Sequence, residues 1–270
     1  MTGVLAVAGN VAHIRTSHPR KPSRAFVGGA AWHIAQGAAR AGMAAAPIAV
    51  IGADLTAELS RQAADHLVLD HVRTEAGPSA RFDLHYDADD QVHRVESHVG
   101  AAAALTVHVL SLAPRFRRWH VSCRRPLDPD TVLGALLHTP GVQVSVDFFA
   151  SSAENLIPLT VAWLPATSGV FVNAAEHAIL VGVISPDRLP LLVVTDGPRR
   201  AVCYRHGAVT ATVTPPATTA ADPTGAGDTL IGDFLAGCHA GHTDADALLR
   251  AVSAASEHIA APRPDPGERG

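Results

Sequence analysis

Asp222-Pro-Thr-Gly-Ala-Gly-Asp228 is the stretch of this 270-residue chain best equipped to do chemistry. Gly225 and Gly227 let backbone N–H groups approach a ligand with no Cβ in the way. Apolar residues at Leu230, Ile231, Phe234, Leu235 and Cys238 predict a helix from Thr229 to about His239. The first N–H groups of that helix lack internal partners, and the positive end of its dipole meets the same spot. An anion is therefore expected at Gly225, Ala226 and Gly227, and Asp228 could take a proton from an attacking hydroxyl. Together these parts suit phosphoryl transfer. A glycine-rich loop is also an ordinary turn, and Asp an ordinary N-cap; the full string with an apolar helix behind it favours the site. It is not a Walker A loop, because no Gly-Lys-Ser/Thr follows and Lys21 is the only lysine. Nor does a strand with Gly-x-Gly-x-x-Gly open the chain, as a dinucleotide fold would require.

The elements that must hold this loop alternate between strand and helix. Val4 to Ala8 is an apolar run ending at Gly9 and reads as a buried parallel strand. Ala30 to Arg40 reads as a helix closed by Gly42, Ala46 to Ile51 as a strand, and Thr56 to His66 as a helix. Arg81 to Tyr86 and Gln91 to Glu96 alternate in polarity around Asp87-Ala-Asp-Asp90, which predicts a β-hairpin. Strands are then expected at Trp119–Cys123, Val142–Asp147, Gly169–Asn173 and Leu191–Thr195, with helices at Asp130–Leu137 and Ala175–Val181. A hairpin over Tyr204–Val213 precedes the glycine-rich loop, and Ala245–Ala260 forms a closing helix. This order implies an α/β fold, a doubly wound, mostly parallel sheet flanked by helices.

Composition bounds the rest. With 47% hydrophobic and 17% charged residues the chain can bury one large core, so residues 1–270 read as a single domain. A formal charge of −4 offers no basic footprint for nucleic acid. Cys123, Cys203 and Cys238 are too few and too scattered for a disulfide framework or a zinc site. No signal-like or membrane-spanning segment stands out, so no membrane partner is expected and cytoplasm is the expected compartment.

The string 222–228 resembles the C-terminal signature of the ribokinase-like, or PfkB-type, carbohydrate and nucleoside kinases. Gly28-Gly29-Ala-Ala-Trp-His33, Ile51-Gly52-Ala-Asp54, Asn173-Ala-Ala-Glu176 and Thr195-Asp196-Gly197 resemble further motifs of that family in the expected order, over nearly the whole chain. The resemblance implies ATP as donor, Mg²⁺ as cofactor and a small-molecule alcohol, often a CH₂OH, as acceptor. Asp228 would be the base and Gly225, Ala226 and Gly227 the anion hole. Asn173, Glu176, Thr195, Gly197, Asp222 and Thr224 would lie around the nucleotide, with Glu176 reaching the metal through water. It further implies a small β-lid formed by about 15–27 and 78–98, pairing into a homodimer in some relatives, and a monovalent cation whose site no residue of the tail from Ala260 assigns. Taken alone, Asn173 and Glu176 read equally as a helix cap with a solvated acid, and Thr195 as a strand-end turn.

At the acceptor end the chain departs from the family. The segment Gly9-Asn10-Val-Ala-His13-Ile14 carries no acid to grip two hydroxyls, and His33 stands where relatives have an asparagine. A carboxylate accepts from two hydroxyls at once, whereas a neutral imidazole offers one donor and one acceptor. Asn10, His13, Gly28, Gly29 and His33 are the candidates for the acceptor pocket. His85, His93 and His98 lack the carboxylate or cysteine that would complete a metal set and read as a solvated face. Three functions stay open: a sugar kinase, a nucleoside or hydroxymethyl-heteroaromatic kinase, and a non-catalytic sugar or nucleotide sensor on a kinase fold. The base and anion hole argue against the sensor.

Overall fold

A computed structural model describes residues 3–20, 23–87, 92–218 and 224–261. The chain enters through β1 (Leu5–Ala8), β2 (Ala12–Ser17) and β3 (Arg24–Gly28), then α1 (Ala30–Arg40), β4 (Ala45–Ile51), α2 (Thr56–Gln62) and β5 (Val72–Thr74). β6 (Ala80–Tyr86) and β7 (Val92–His98) follow, then α3 (Leu105–Leu112), β8 (Arg118–Cys123), α4 (Pro129–Leu137), β9 (Gln143–Phe148) and α5 (Ala150–Thr160). It ends with β10 (Gly169–Asn173), α6 (Ala174–Val181), β11 (Leu192–Thr195), β12 (Ala201–Arg205), β13 (Ala208–Val213), α7 (Ala226–His239) and α8 (Asp244–Ala260).

Among the described residues two sheets form. The larger has nine strands in the order β13-β12-β11-β10-β9-β8-β1-β4-β5, parallel except for β12 and β13. From β1 the chain winds outward through β4 and β5, then returns to β8 on β1's other side and winds the opposite way. The winding direction therefore reverses between β1 and β8, the place where open α/β sheets leave a crevice beyond their strand ends. The smaller sheet, β3-β2-β6-β7, joins the two regions expected to pair, with β2 parallel to β6. Of the turn expected at Asp87-Ala-Asp-Asp90, residues 88–90 lie outside the described residues.

Apolar side chains cover both faces of the large sheet. α3, α4, α5 and α6 pack on one face over Trp119, Val121 and Val146; α1, α7 and α8 pack on the other over Leu5, Val7 and Phe171. Burial of each large side chain, such as Trp119 or Phe234, contributes about 2–3 kcal/mol. α1 and α7 approach closely because Gly232 faces the α1 backbone, where a Cβ would stand 2.1 Å from the Ile34 carbonyl oxygen. That approach brings the start of α7 beside His33.

Two expectations about elements need correction. The helix from Thr56 stops at Gln62 rather than His66. Gln36 of α1 donates to the Gln62 carbonyl (2.6 Å) and accepts from the Ala64 N–H (3.0 Å), replacing the bonds that would continue the helix. α5 went unrecognised because Ser151, Ser152 and the internal Pro158 mask its helical period.

Candidate active site

A cavity of about 880 Å³ lies between the C-terminal ends of β8, β9, β10 and β11 and the inner face of the small sheet. At its centre, α7 begins with Gly225 in the left-handed region (φ 82°), a conformation that costs another residue about 1–2 kcal/mol. A Cβ there would also touch the His33 ring at 3.0 Å and His258 Nε2 at 3.1 Å. Among the described residues no side-chain bond caps this helix, so the N–H groups of its first turn are open to a ligand. Gly225, Gly227 and Asp228 line the cavity, and Ala226 contributes the first helical position between them.

Asp228 does not stand alone. Arg124, one residue beyond β8, places Nη2 3.0 Å from Asp228 Oδ1 and pairs through the same atom with Asp147 Oδ2. The other oxygen of Asp147 lies 3.0 Å from His120 Nε2, and His120 Nδ1 lies 2.9 Å from Ser145 Oγ. Burial would raise the Asp147 carboxyl, but the Arg124 charge and the His120 bond outweigh it and hold it at about 2. Burial pushes Asp228 above the usual carboxylate range, against the pull of Arg124. Burial would likewise lower Arg124, but Asp147 and Asp228 outweigh it and raise it further. Removing one partner from a buried ion pair typically costs 3–5 kcal/mol, roughly, because the other charge is left uncompensated. Arg124 also stacks over Phe149, 5.4 Å from the ring centroid. Its Nε is buried without a hydrogen-bond partner among the described residues. A buried cationic donor with nothing to bond fits an oxyanion.

Asn173 and Glu176 form the helix cap that the sequence allowed, but the acid is buried rather than solvated. Asn173 caps α6, accepting from the Glu176 N–H (3.0 Å), while the Glu176 carboxylate accepts from Asn173 N (2.9 Å) and Nδ2 (2.8 Å). Both also line the cavity, and burial raises the Glu176 carboxyl to about 7. With both oxygens engaged, Glu176 meets a cation better through water than directly. Among the described residues no three His, Cys, Asp or Glu side chains gather as a metal set. Mg²⁺ is normally held by one or two carboxylates, its own waters and substrate phosphates, so the donors present fit it in that manner.

Of the remaining candidates, Asn10, Gly29, His33, Thr195 and Thr224 line the cavity. Asn10 Nδ2 donates to the Arg125 carbonyl (3.0 Å), which ties β1 to β8 where the winding reverses, and its Oδ1 is buried without a hydrogen-bond partner. Three candidates fall elsewhere. His13 points away: strand alternation brings Ile14 to the cavity, and His13 bonds Asp54 Oδ2 at 2.8 Å on the outer side. Gly28 packs under Ile14 and His33 without lining the cavity. Gly197 (φ 51°) makes the turn between β11 and β12, also outside the lining. Asp222 lies outside the described residues.

Arg124, Asp147, Tyr86 and His258 were not singled out in the sequence. Tyr86 Oη is 2.7 Å from Thr224 Oγ1 and His258 Nε2 is 3.1 Å from the Thr224 carbonyl, so the glycine-rich loop is held from the small sheet and from α8. One signal was available for two of them. Arg124 and Asp147 stand at the ends of expected parallel strands, where α/β sheets place ligand-binding groups.

An open α/β sheet with a bare helix N-terminus, a half-buried carboxylate and a cationic donor at its switch point defines the class: a phosphotransferase. Within that class, a model of the pfkB family carbohydrate kinases matches residues 16–265, and the chain belongs to that family as an ATP-dependent kinase. Similar solved structures include the Burkholderia thailandensis nucleoside kinase in complex with inosine (22% identity, TM-score 0.80, 95% of this chain and 90% of that one). They also include the adenosine kinase of Sinorhizobium meliloti (18%, 0.79, 97% and 95%) and the ribokinase of Cryptococcus neoformans in complex with ADP (18%, 0.75, 97% and 95%). At these identities they speak for the fold alone. Comparison with curated protein sequences gives no match. Among the described residues no helix is long and apolar enough to cross a membrane, and Cys123, Cys203 and Cys238 are unpaired.

Proposed function

We propose that this kinase transfers the γ-phosphate of ATP to a CH₂OH group of a small alcohol, with Asp228 as base. The observation that carries the reading is the meeting, in one cavity, of the Asp228 carboxylate, the uncapped first turn of α7 and Arg124, whose Nη2 lies 3.0 Å from Asp228. Asp228 accepts the acceptor's proton as its oxygen attacks. The N–H groups of Gly225, Ala226 and Gly227 receive the charge of the transferring group, a contribution of about 3–4 kcal/mol for each well-aimed donor in comparable anion holes. Arg124, largely withdrawn from solvent and held by Asp147, adds its charge with little reorganisation. Asn173, Thr195 and Thr224 border the nucleotide side. Bound Mg²⁺ would neutralise charge on the phosphates, with Glu176 turned to its water shell. The small sheet serves as a lid that keeps water from the transfer point. ATP as donor and three reduced thiols suit the cytoplasm.

One observation favours an acceptor with a flat apolar body, such as a nucleoside or a hydroxymethyl heteroaromatic, over a polyhydroxylated sugar. The small sheet presents Ile14, Phe82, Leu84 and Val95 to the cavity, with Tyr86, His93, Arg94 and Ser97 as its polar lining. Its carboxylates, Asp83 and Glu96, are turned to the other face, paired with Arg81 (2.6 Å) and Arg94 (2.9 Å). The orphaned Asn10 Oδ1 is left to accept from a single N–H or O–H of the acceptor.

An ADP-release assay of the purified protein with ATP, Mg²⁺ and panels of sugars, nucleosides and hydroxymethyl heterocycles tests both statements. Turnover restricted to acceptors that carry an aromatic ring is expected. Preference for simple sugars removes the second statement, and tight ligand binding with no turnover on any acceptor removes the first.

A further inference from the structure

The ion pairs at Asp228 begin with a side chain that no ligand can reach. His120 is fully buried in mid-strand β8 and is not part of the cavity lining. Its two ring nitrogens are both engaged on β9, by Ser145 Oγ at 2.9 Å and Asp147 Oδ1 at 3.0 Å, and Phe171 packs edge-on at 5.9 Å. In parallel register His120 sits beside Ser145, and Ser122 beside Asp147, so the imidazole bridges two successive inward positions of the neighbouring strand.

We propose that His120 is a positioning residue for phosphoryl transfer: acting through Asp147, it sets where the Arg124 guanidinium stands relative to Asp228. The inference rests on the kinase reading above. Carboxylate rotation about χ2 is soft, since this torsion has broad wells. Asp147 loses that freedom because one oxygen is tied to a ring that is itself tied on its far side. Its second oxygen then holds Arg124 Nη2, the atom that also meets Asp228, and this fixes the direction of the unpartnered Nε. Without His120, Asp147 could turn and follow Arg124. A displacement of about 1 Å at a reacting centre costs on the order of 100-fold in rate.

A merely structural His120 would support the strands equally whether or not Arg124 is present. Steady-state kinetics of His120→Phe, alone and combined with Arg124→Ala, separates the two roles. Alone, it should lower kcat about 10- to 100-fold while KM for ATP changes less than about threefold. In the Arg124→Ala background the same change should cost less than about twofold, because the coupling runs through the guanidinium. Equal fold-losses in both backgrounds, or a loss of thermal stability alone, overturn the proposal. If His120→Phe does not fold, Ser145→Ala frees the far side of the ring and should show the same non-additivity at about three- to tenfold. His120→Gln, which keeps an N–H for Asp147, should retain kcat within about fivefold. A readout independent of turnover is the side-chain Nε–H signal of Arg124 in the free protein, assigned by its loss in Arg124→Ala. It should shift or broaden in Ser145→Ala while other arginine signals stay put, and an unmoved signal overturns the proposal. Absence of turnover in the wild type would fail the kinase reading alone.

Discussion

At one end of the cavity Arg124, Asp147, Glu176 and Asp228 are held by the strand ends of β8–β10 and the first turn of α7. At the other end stand Ile14, Phe82, Leu84 and Val95 on the small sheet. The transfer end is built from directional contacts. Each carboxylate there bonds to a named partner, and the shifts of Asp147 and Glu176 in opposite directions show how differently one crevice treats two acids. The proposed acceptor end is richer in apolar surface, which attracts whatever body fits and specifies little about its polar groups. Buried ion pairs are costly to assemble and strongly destabilised when broken, whereas an apolar wall tolerates exchange of similar volumes. On the proposed reading, chemistry and acceptor choice fall to separate layers of the fold, and substitutions in the two should have different kinetic signatures.

The largest effect is expected from Asp228→Asn. It should lower kcat by about 10³-fold or more, beyond the usual 10²–10⁴ contribution of general base catalysis only if it also disturbs Arg124, while ATP affinity stays within about threefold. Wild-type turnover in this variant would dissolve the distinction between the two ends. Phe82→Ala tests the opposite end. Loss of uniform binding should raise KM for the best acceptor about tenfold with kcat nearly unchanged. A fall in kcat without a change in KM would mean that the small sheet takes part in the chemistry.

Glu176 offers a pH test. Its folded value of about 7 exceeds the unfolded 4.5, so the folded state holds the proton more tightly. Stability is therefore undiminished below about pH 4.5 and falls as pH rises to about 7, by roughly 3 kcal/mol in all. Glu176→Gln preserves the capping box and should remove this decline. Urea unfolding of both proteins at pH 5 and pH 8 measures it, and parallel pH dependences would show that Glu176 titrates normally. The smallest effect is expected of His33→Asn, a shift of a few-fold in acceptor preference towards ordinary sugars, since one hydrogen bond to a neutral group is worth about 0.5–1.5 kcal/mol. An unchanged preference profile would take His33 out of acceptor binding.

How far the site was legible differs by layer. Asp228 and the glycines before it were readable because one segment supplies loop, helix start and base, and all their relations are local. Asn173 and Glu176 were readable for the same reason: a capping box is complete within four residues. Arg124 and Asp147 were readable only in part, as strand-end positions. Their pairing depends on β8 lying beside β9 and on α7 returning to the same crevice more than a hundred residues later. That His13 lies outside the cavity lining could not be read locally, because the register of β2 on β6, which decides whether His13 or Ile14 faces inward, is a property of sheet pairing.

Local order was therefore settled along the chain: the alternation of apolar strands and helices, the glycine-rich loop, the helix it opens and the acid at its threshold. Short-range sterics and hydrophobic period dictate these without reference to distant residues. Only the folded arrangement decided which distant charges neutralise one another around Asp228, that Ile14, Phe82, Leu84 and Val95 of the small sheet border the same cavity, and that His120 bonds the Asp147 carboxylate from beneath. Those outcomes depend on which strands become neighbours and on the desolvation that follows, and neither is encoded in any single segment.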